Sequence, residues 1–433
     1  MIMVVTGRLV AAAALAAALV TFAVPSWFGV VLASLAIVAL TAIDLVMTGR
    51  AGDLLLERTP LSVVRLGRSI EIELVVTNTG GRRIRGLLWD DWPDSTRPAQ
   101  REHRLDLAPG TRTRLRTSLT PTRRGDRTAG PITLRLLGPL GMAGRQTRHT
   151  VTARVRALPP FRSERLLASK AKQLQHLEGR NLAILRGQGT EFDSFREYVP
   201  GDDVRAIDWR ATARATDVLV RTWRPERNRH VLMLLDTGRI SAGRAGDGTR
   251  LDAAIEAALL LGGLAAAAGD MVGLLAYDRS VRCEVRAEGG RGLQPKLMHA
   301  LAGVTPALVD TDMNGLVRAA VQRSRRRGLI VWFTGLDGAA VTENLVPVLP
   351  VPARRHRVMI VSVTDPEIAA AAGHRTGLDA VYRAAAAETR IAEQSLVRES
   401  LRRMGISVVA AAPERLPEAL ADAYLELKQS GTV

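Results

Sequence analysis

Val231-Leu232-Met233-Leu234-Leu235-Asp236-Thr237-Gly238 is a run of five apolar residues that ends on an acid, a hydroxyl and a glycine. A strand with one wet face alternates polar and apolar residues. An unbroken run of this kind therefore belongs to a strand covered on both sides, as in a parallel sheet between helical layers. Further along, Met271 to Tyr277, Leu329 to Phe333, Val358 to Val363 and Ile406 to Ala410 repeat the pattern. Long Ala/Leu-rich or amphipathic stretches separate them, at Leu251 to Ala268, Leu316 to Arg325 and Asp379 to Met404. Strands alternating with helices predict a doubly wound α/β domain over residues 229–433. Ligands of such sheets sit at the carboxyl ends of the strands, where Asp236, Asp278 and Asp337 fall.

Upstream lies a stretch that no periodicity explains. Leu158-Pro159-Pro160 breaks the chain, Ser163 to Leu177 has helical composition, and residues 187–214 then pack charge, glycine and aromatics into one irregular segment, GQGTEFDSFREYVPGDDVRAIDWRATAR. Glu191, Asp193, Glu197, Asp202, Asp203 and Asp208 interleave with Arg196, Arg205, Arg210 and Arg214. Carboxylate and guanidinium groups so close in sequence can form bidentate pairs that fix a loop. Pro200-Gly201-Asp202-Asp203 reads as a turn in which either aspartate could cap a following helical turn. Three readings stand side by side: a salt-bridged structural loop, a docking or ligand surface, and a catalytic carboxylate pair. The last lacks a His or Lys to act with it. Gly187-x-Gly189 lacks the third glycine and the Lys-Ser/Thr of a phosphate loop, so it is a weak nucleotide signal. Residues 158–228 are assigned to a linker helix and this motif.

Residues 51–157 carry a different pattern. Ile70, Ile72 and Leu74 alternate with Glu71 and Glu73 before Asn78-Thr79-Gly80-Gly81, and similar short units recur at Ile84 to Trp89, Arg112 to Leu119, Thr133 to Leu137 and Thr150 to Val155. Short strands at regular spacing predict an all-β, immunoglobulin-like sandwich. Its many arginines (among them Arg82, Arg83, Arg85, Arg112, Arg114 and Arg116) fall at alternate or turn positions, as on a solvated face.

The first 50 residues hold two apolar runs, Leu9 to Val24 and Trp27 to Ile43, joined by Pro25-Ser26. A bilayer core of about 30 Å needs ~20 residues of helix. The second run suffices with its flanks; the first is marginal and has the length of a signal peptide, although no polar cleavage region follows it. Arg8 precedes the pair, Arg50, Arg58, Arg65 and Arg68 follow it, and the connecting turn is uncharged. The positive-inside rule then places both ends, and the soluble domains, in the cytoplasm of a two-pass membrane protein. Asp44 reads as a tolerated residue at the interface.

The 433 residues allow two or three domains. With 47% hydrophobic residues the chain folds, and its single cysteine, Cys283, excludes an internal disulfide and a thiolate metal cage. Net charge is +17, carried by 56 arginines and only four lysines. That bias matches an Ala/Arg-rich vocabulary as well as it matches an anionic partner. Lipid headgroups fit such a partner better than nucleic acid, for which no binding signature accompanies the charge.

The central motif resembles the domain of unknown function 58 family, whose hallmark run reads approximately G-x-G-x-E-F-x-x-x-R-x-Y-x-x-G-D-D-x-R-x-I-D-W-x-x-T-A-R. The chain matches it at Gly187, Gly189, Glu191, Phe192, Arg196, Tyr198, Gly201, Asp202, Asp203, Arg205, Ile207, Asp208, Trp209, Thr212, Ala213 and Arg214. The paired N-terminal runs and the β-rich segment also look like the family's usual arrangement. The resemblance implies a C-terminal domain of the von Willebrand factor A type and a partner, since members commonly occur alongside MoxR-type AAA+ ATPases. It implies no reaction, because the family has no established activity.

The A-type metal site uses Asp-x-Ser-x-Ser with a distal Thr and Asp to give Mg²⁺ hard oxygen ligands. Here the run is Asp236-Thr237-Gly238-Arg239-Ile240: both serines are lost and Arg239 adds positive charge. Thr311 and Asp337 are the candidate distal ligands of what would be a degenerate Mg²⁺ site, with no other cofactor expected. The function expected from these features is that of a membrane-anchored, non-enzymatic adaptor that works with such an ATPase in assembly or maturation of envelope or membrane complexes. The alternative is a metal-dependent hydrolase built on Glu191, Asp202, Asp203 and Asp208.

Overall fold

The computed structural model describes residues 2–23, 25–184, 191–224, 229–290, 292–337 and 341–430, without the side chains of 178–184, 191–193, 222–224 and 342. The chain divides into two compact units, Met1–Leu158 and Pro159–Val433.

The first unit opens with a strand, β1 (Ile2–Val5), and two apolar helices, α1 (Gly7–Ala23) and α2 (Trp27–Met47), that pack on each other. Helix α2 is long and apolar enough to cross a membrane, whereas α1 is shorter. Ten strands follow: β2 (Leu54–Arg58), β3 (Leu61–Arg65), β4 (Ile70–Asn78), β5 (Ile84–Asp90), β6 (Glu102–Leu107), β7 (Arg112–Leu119), β8 (Gly125–Thr128), β9 (Ile132–Leu137), β10 (Ala143–His149) and β11 (Arg154–Leu158). They form sheets of order β1-β10-β9-β5-β6, β2-β4-β7 and β3-β11-β8. Leu74 and Val76 of β4 share a core with Ile84 and Leu88 of β5 and with Ile132, Leu134 and Leu136 of β9, so two sheets face each other as a sandwich.

Two expectations change here, and one element was not expected: residues 2–5, ahead of the apolar run from Leu9 and separated from it by Thr6-Gly7-Arg8, form a sheet strand registered Ile2 to Gln146 and Val5 to Ala143. The strand expected over Thr150 to Val155 falls in the connection between two strands: β10 ends at His149 and β11 begins at Arg154, so only Arg154 and Val155 of that range are in a strand, and β10 itself is mostly polar (Arg145-Gln146-Thr147-Arg148-His149) and shows no alternation. Asp44 is no idle interface residue: it is fully buried and accepts hydrogen bonds from the backbone N–H groups of Leu140 (2.7 Å), Met142 (2.7 Å) and Ala143 (2.9 Å) in the turn between β9 and β10.

The second unit begins with helix α3 (Glu164–Ile184) and an antiparallel hairpin, β12 (Glu191–Glu197) with β13 (Leu219–Arg224), whose connection holds the short helix α4 (Trp209–Thr212). Next come β14 (His230–Asp236), the two-residue pair β15 (Arg244–Ala245) and β16 (Gly248–Thr249), α5 (Arg250–Ala267), β17 (Met271–Tyr277), β18 (Val281–Glu288), α6 (Leu293–Ala302), α7 (Met313–Arg323), β19 (Gly328–Phe333), α8 (Pro350–Ala353), β20 (Arg357–Val363), α9 (Pro366–Gly373), α10 (Leu378–Arg403), β21 (Ser407–Ala411) and α11 (Leu416–Gln429).

The six-stranded sheet has the order β18-β17-β14-β19-β20-β21, parallel except for the edge strand β18. Leu232 and Leu234 of β14 pack with α7 and α10 on one face. Helix α5 covers the other, where a side chain at Gly262 would meet Met233 and Leu297. Coverage on both faces is why β14, β17 and β19 read as continuous apolar runs. Edge strand β18, half wet, carries Arg282, Glu284 and Arg286 and escapes that reading. Strand order reverses between β14 and β19, which makes their carboxyl ends the topological switch point of the sheet.

Candidate functional site

Two groups of candidate residues lie in the second unit. The first is at the switch point. Asp236, the last residue of β14, is 1% exposed. Its Oδ1 accepts hydrogen bonds from the Gly238 N–H (2.8 Å) and the Thr311 hydroxyl (2.5 Å), and its Oδ2 accepts one from Thr334 (2.8 Å) at the end of β19. Burial pushes the Asp236 carboxyl above its ordinary value, against the three hydrogen bonds that favour its charged form.

Beside it, Asp278 at the end of β17 accepts from the Thr237 hydroxyl (3.2 Å) and from Arg282 Nε (2.6 Å). Burial would raise that carboxyl as well, but Arg282 and the N–H groups of Arg279 and Ser280 outweigh it and hold the group below the usual range. Asp337 behaves in the same way: burial is outweighed by hydrogen bonding and charge from Arg250, with Arg390 adding to it.

Thr311 and Asp337 are the distal partners expected for Asp236. The structure brings Thr311 to Asp236, adds Thr334, and ties Asp337 to Arg250 instead. Arg239 does not reach the aspartates either: it is exposed and pairs with Asp310 at 2.8 Å. The guanidinium groups at the strand ends are therefore Arg282, on Asp278, and Arg250, the first residue of α5, on Asp337; no local motif announces either.

Mg²⁺ needs several free hard oxygens in near-octahedral array. Here the oxygens of Asp236 are engaged by protein donors and Asp337 is already neutralised by a guanidinium. Among the described residues no group of three or more His, Cys, Asp or Glu side chains converges. As arranged, the donor set does not fit the ion.

The second group is the signature hairpin. Gly187 and Gly189 lie outside the described residues, as do the side chains of Glu191 and Phe192, whose backbone belongs to β12. The remaining motif residues share one small structure. Gly201 turns with φ of +110°, a conformation that glycine adopts without strain. Asp202 accepts from the Val199 N–H (3.0 Å) and from Arg196 Nη2 (2.5 Å); Arg196 above all, then the Val199 amide, holds its carboxyl below the usual range. Asp203 caps the following turn through the Arg205 N–H at 2.9 Å.

Asp208 caps α4 through the N–H groups of Arg210 (2.9 Å) and Ala211 (3.0 Å) and takes Arg221 Nε at 2.6 Å; the Ala211 amide, then Arg221, lower its carboxyl. Thr212 closes the loop by accepting the Leu219 N–H at 3.0 Å. These three aspartates each serve their own turn and form no common pocket. Among the described residues, Arg196 alone of the interleaved arginines is paired as expected. Asp208 finds Arg221, a β13 residue outside the stretch, through hairpin register that sequence spacing does not reveal. Arg205, Arg210 and Arg214 are left exposed, together with Trp209 (68% exposed), Val204 and Val199. Tyr198 is half-buried, its N–H bonded to Val218 O.

The family profile described as protein of unknown function DUF58 matches residues 194–410, half of the chain. The chain belongs to that family. It is also similar to uncharacterized proteins of Mycobacterium bovis and Mycobacterium tuberculosis, 32% identical over 193 residues that make up 44% of this chain and 60% of each relative. The chain thus matches less than two thirds of the length of these curated relatives. Among solved structures, the CARDB domain of a Pyrococcus furiosus protein in complex with di-metal ions is 20% identical, with 24% of this chain and 92% of that one covered and a TM-score of 0.19. A Salmonella alpha-2-macroglobulin mutant is 20% identical over 25% of this chain and 7% of its own, also at 0.19.

Proposed function

We propose that the chain is a membrane-anchored, non-enzymatic adaptor whose second unit, a domain of the von Willebrand factor A type, works with a MoxR-type AAA+ ATPase in assembly or maturation of envelope or membrane complexes. One observation carries this reading. In the signature hairpin the described aspartates are committed to backbone caps and guanidinium partners, while Trp209, Val204, Arg205, Arg210 and Arg214 face outward. Tryptophan and arginine are the side chains that most often anchor protein interfaces. A rigid loop presenting them is suited to gripping an acidic, partly apolar surface and unsuited to bond-breaking.

The strand order with its reversal between β14 and β19 supports the A-type assignment, with the site at Asp236 acting without a metal ion. Two membrane passes with the soluble parts on the cytoplasmic side agree with the charge flanks. They also agree with β1, which precedes α1 yet pairs with β10 beyond α2, so that both ends of the helical pair meet one sandwich. The sandwich, immunoglobulin-like in this reading, would act as spacer or docking module. Co-purification from native membranes tests the proposal: a stably associated AAA+ ATPase is expected, and recovery of no protein partner would overturn it.

A further inference from the structure

The first unit contains a basic cleft of about 630 Å³ where the chain leaves α2, lined by Arg50, Asp53, Arg145, Thr147, Arg148 and His149. Arg50 lies three residues beyond Met47, the last residue of α2, and the others come from the short turn after it and from β10. The lining supplies three arginines and a single acid, Asp53. Among the described residues Arg50, Arg145 and Arg148 form no ion pair, unlike Arg83 with Asp106 or Arg156 with Asp126 elsewhere in the sandwich. Thr147 and His149 are within 3.4 Å of each other and add a hydroxyl and a ring nitrogen. Forked donors around an open concavity, with a hydroxyl beside them, match the oxygens of a phosphate group.

We propose that this cleft binds a phosphate group, and that its source is the headgroup of an anionic phospholipid. The choice of source rests on the reading of α2 as a membrane span; the chemistry of the cleft does not. Asp44, fixed to the turn between β9 and β10, holds the end of α2 against the same hairpin that carries Arg145 and Arg148. The cleft is therefore kept next to the point where the chain would emerge among headgroups. Basic side chains at an anionic surface contribute ~1 kcal/mol each, about a five-fold change in binding.

The test uses the full chain in a mild non-ionic detergent, titrated with short-chain phosphatidylglycerol, short-chain phosphatidylcholine and inorganic phosphate. We expect phosphatidylglycerol to bind more tightly than phosphatidylcholine. Removal of guanidinium groups in R50Q, and in R145Q/R148Q, should weaken it by about five-fold for each group. Since Arg145 sits within a sheet, R50Q, changed in a connecting segment, keeps the test valid if the double variant misfolds. Inorganic phosphate binding as tightly as the lipid, with the same sensitivity to the variants, would keep the phosphate site and overturn the lipid source. Equal binding of the two lipids, no binding, or binding untouched by R50Q would overturn the proposal. Partitioning of the chain into the aqueous phase without detergent would refute the membrane reading separately.

Discussion

Arg221 on β13 reaches Asp208 in the loop between β12 and β13, Nε to Oδ2 at 2.6 Å, while the other oxygen of the same carboxylate caps α4. One side chain thus joins the strand pair to the helical turn that displays Trp209. Replacing Asp208 with Ala removes the cap and the ion pair together. Limited proteolysis is expected to become faster within residues 199–218, with the unfolding of the six-stranded sheet unchanged. Equal cleavage of variant and wild type would show that the loop is held by something else.

At the strand ends, Thr311 and Thr334 satisfy the buried Asp236. Thr311→Val keeps the volume and withdraws one donor, for an expected loss of about 1–3 kcal/mol in unfolding free energy. Denaturant unfolding of the full chain measures it, and an unchanged midpoint would contradict the hydrogen bond.

The two acids of this region respond to pH with opposite sign. Asp236 is raised above its ordinary 3.8, so its contribution to stability is complete below that value and is lost as pH rises through the raised one. Asp337 is lowered, so its contribution is present above 3.8 and is lost as pH falls through the lowered value. Relative to Asp236→Asn, wild type should lose stability on going from acid to neutral pH. Arg250→Ala should cost about 1–3 kcal/mol at neutral pH, less than for a fully buried pair because Asp337 keeps some solvent contact, and should flatten the acid limb. Parallel pH profiles for all three proteins would refute these assignments.

If Asp236, Thr311 and Asp337 do not assemble a cation site, Mg²⁺ and a chelator should leave the unfolding midpoint where it is. A site held at a hundred times its Kd would add ~2.7 kcal/mol. A midpoint that rises with Mg²⁺ and returns on chelation would restore the metal reading.

What the sequence discloses follows from what hydropathy measures. Strands covered on both faces, such as β17 from Met271 to Tyr277, announce themselves, and helix α5 is displaced by one residue from its expected bounds. Elements at a boundary do not. Edge strand β18 alternates only weakly, β10 is polar, and β1 is a four-residue apolar run without alternation. At the site, residue type located Asp236, Asp202 and Asp208, but their partners Thr334, Arg250 and Arg221 are set by tertiary register, which leaves no mark in local spacing. Asp44 shows the same limit. Its value lies in three amide groups almost a hundred residues away.

That carboxylate also sets a prediction for the first unit. Asp44→Ala leaves three backbone N–H groups without their acceptor, each worth ~1–3 kcal/mol though not additive. The sandwich in detergent should melt earlier, and accelerated hydrogen exchange should concentrate at Leu140 to Ala143. Exchange unchanged at that turn would show the clamp to be dispensable.

In the proposed function, the outward face of the signature hairpin grips a protein partner. Binding of the purified MoxR-type ATPase to the full chain, measured for wild type, Trp209→Ala and Arg210→Glu, decides whether it does. The expected result is saturable binding that weakens by at least about 30-fold on loss of a ~2 kcal/mol aromatic anchor and that also weakens on charge reversal. Affinity identical in all three proteins, or turnover of a small substrate by the purified chain that stops when a single motif carboxylate is neutralised, would contradict it.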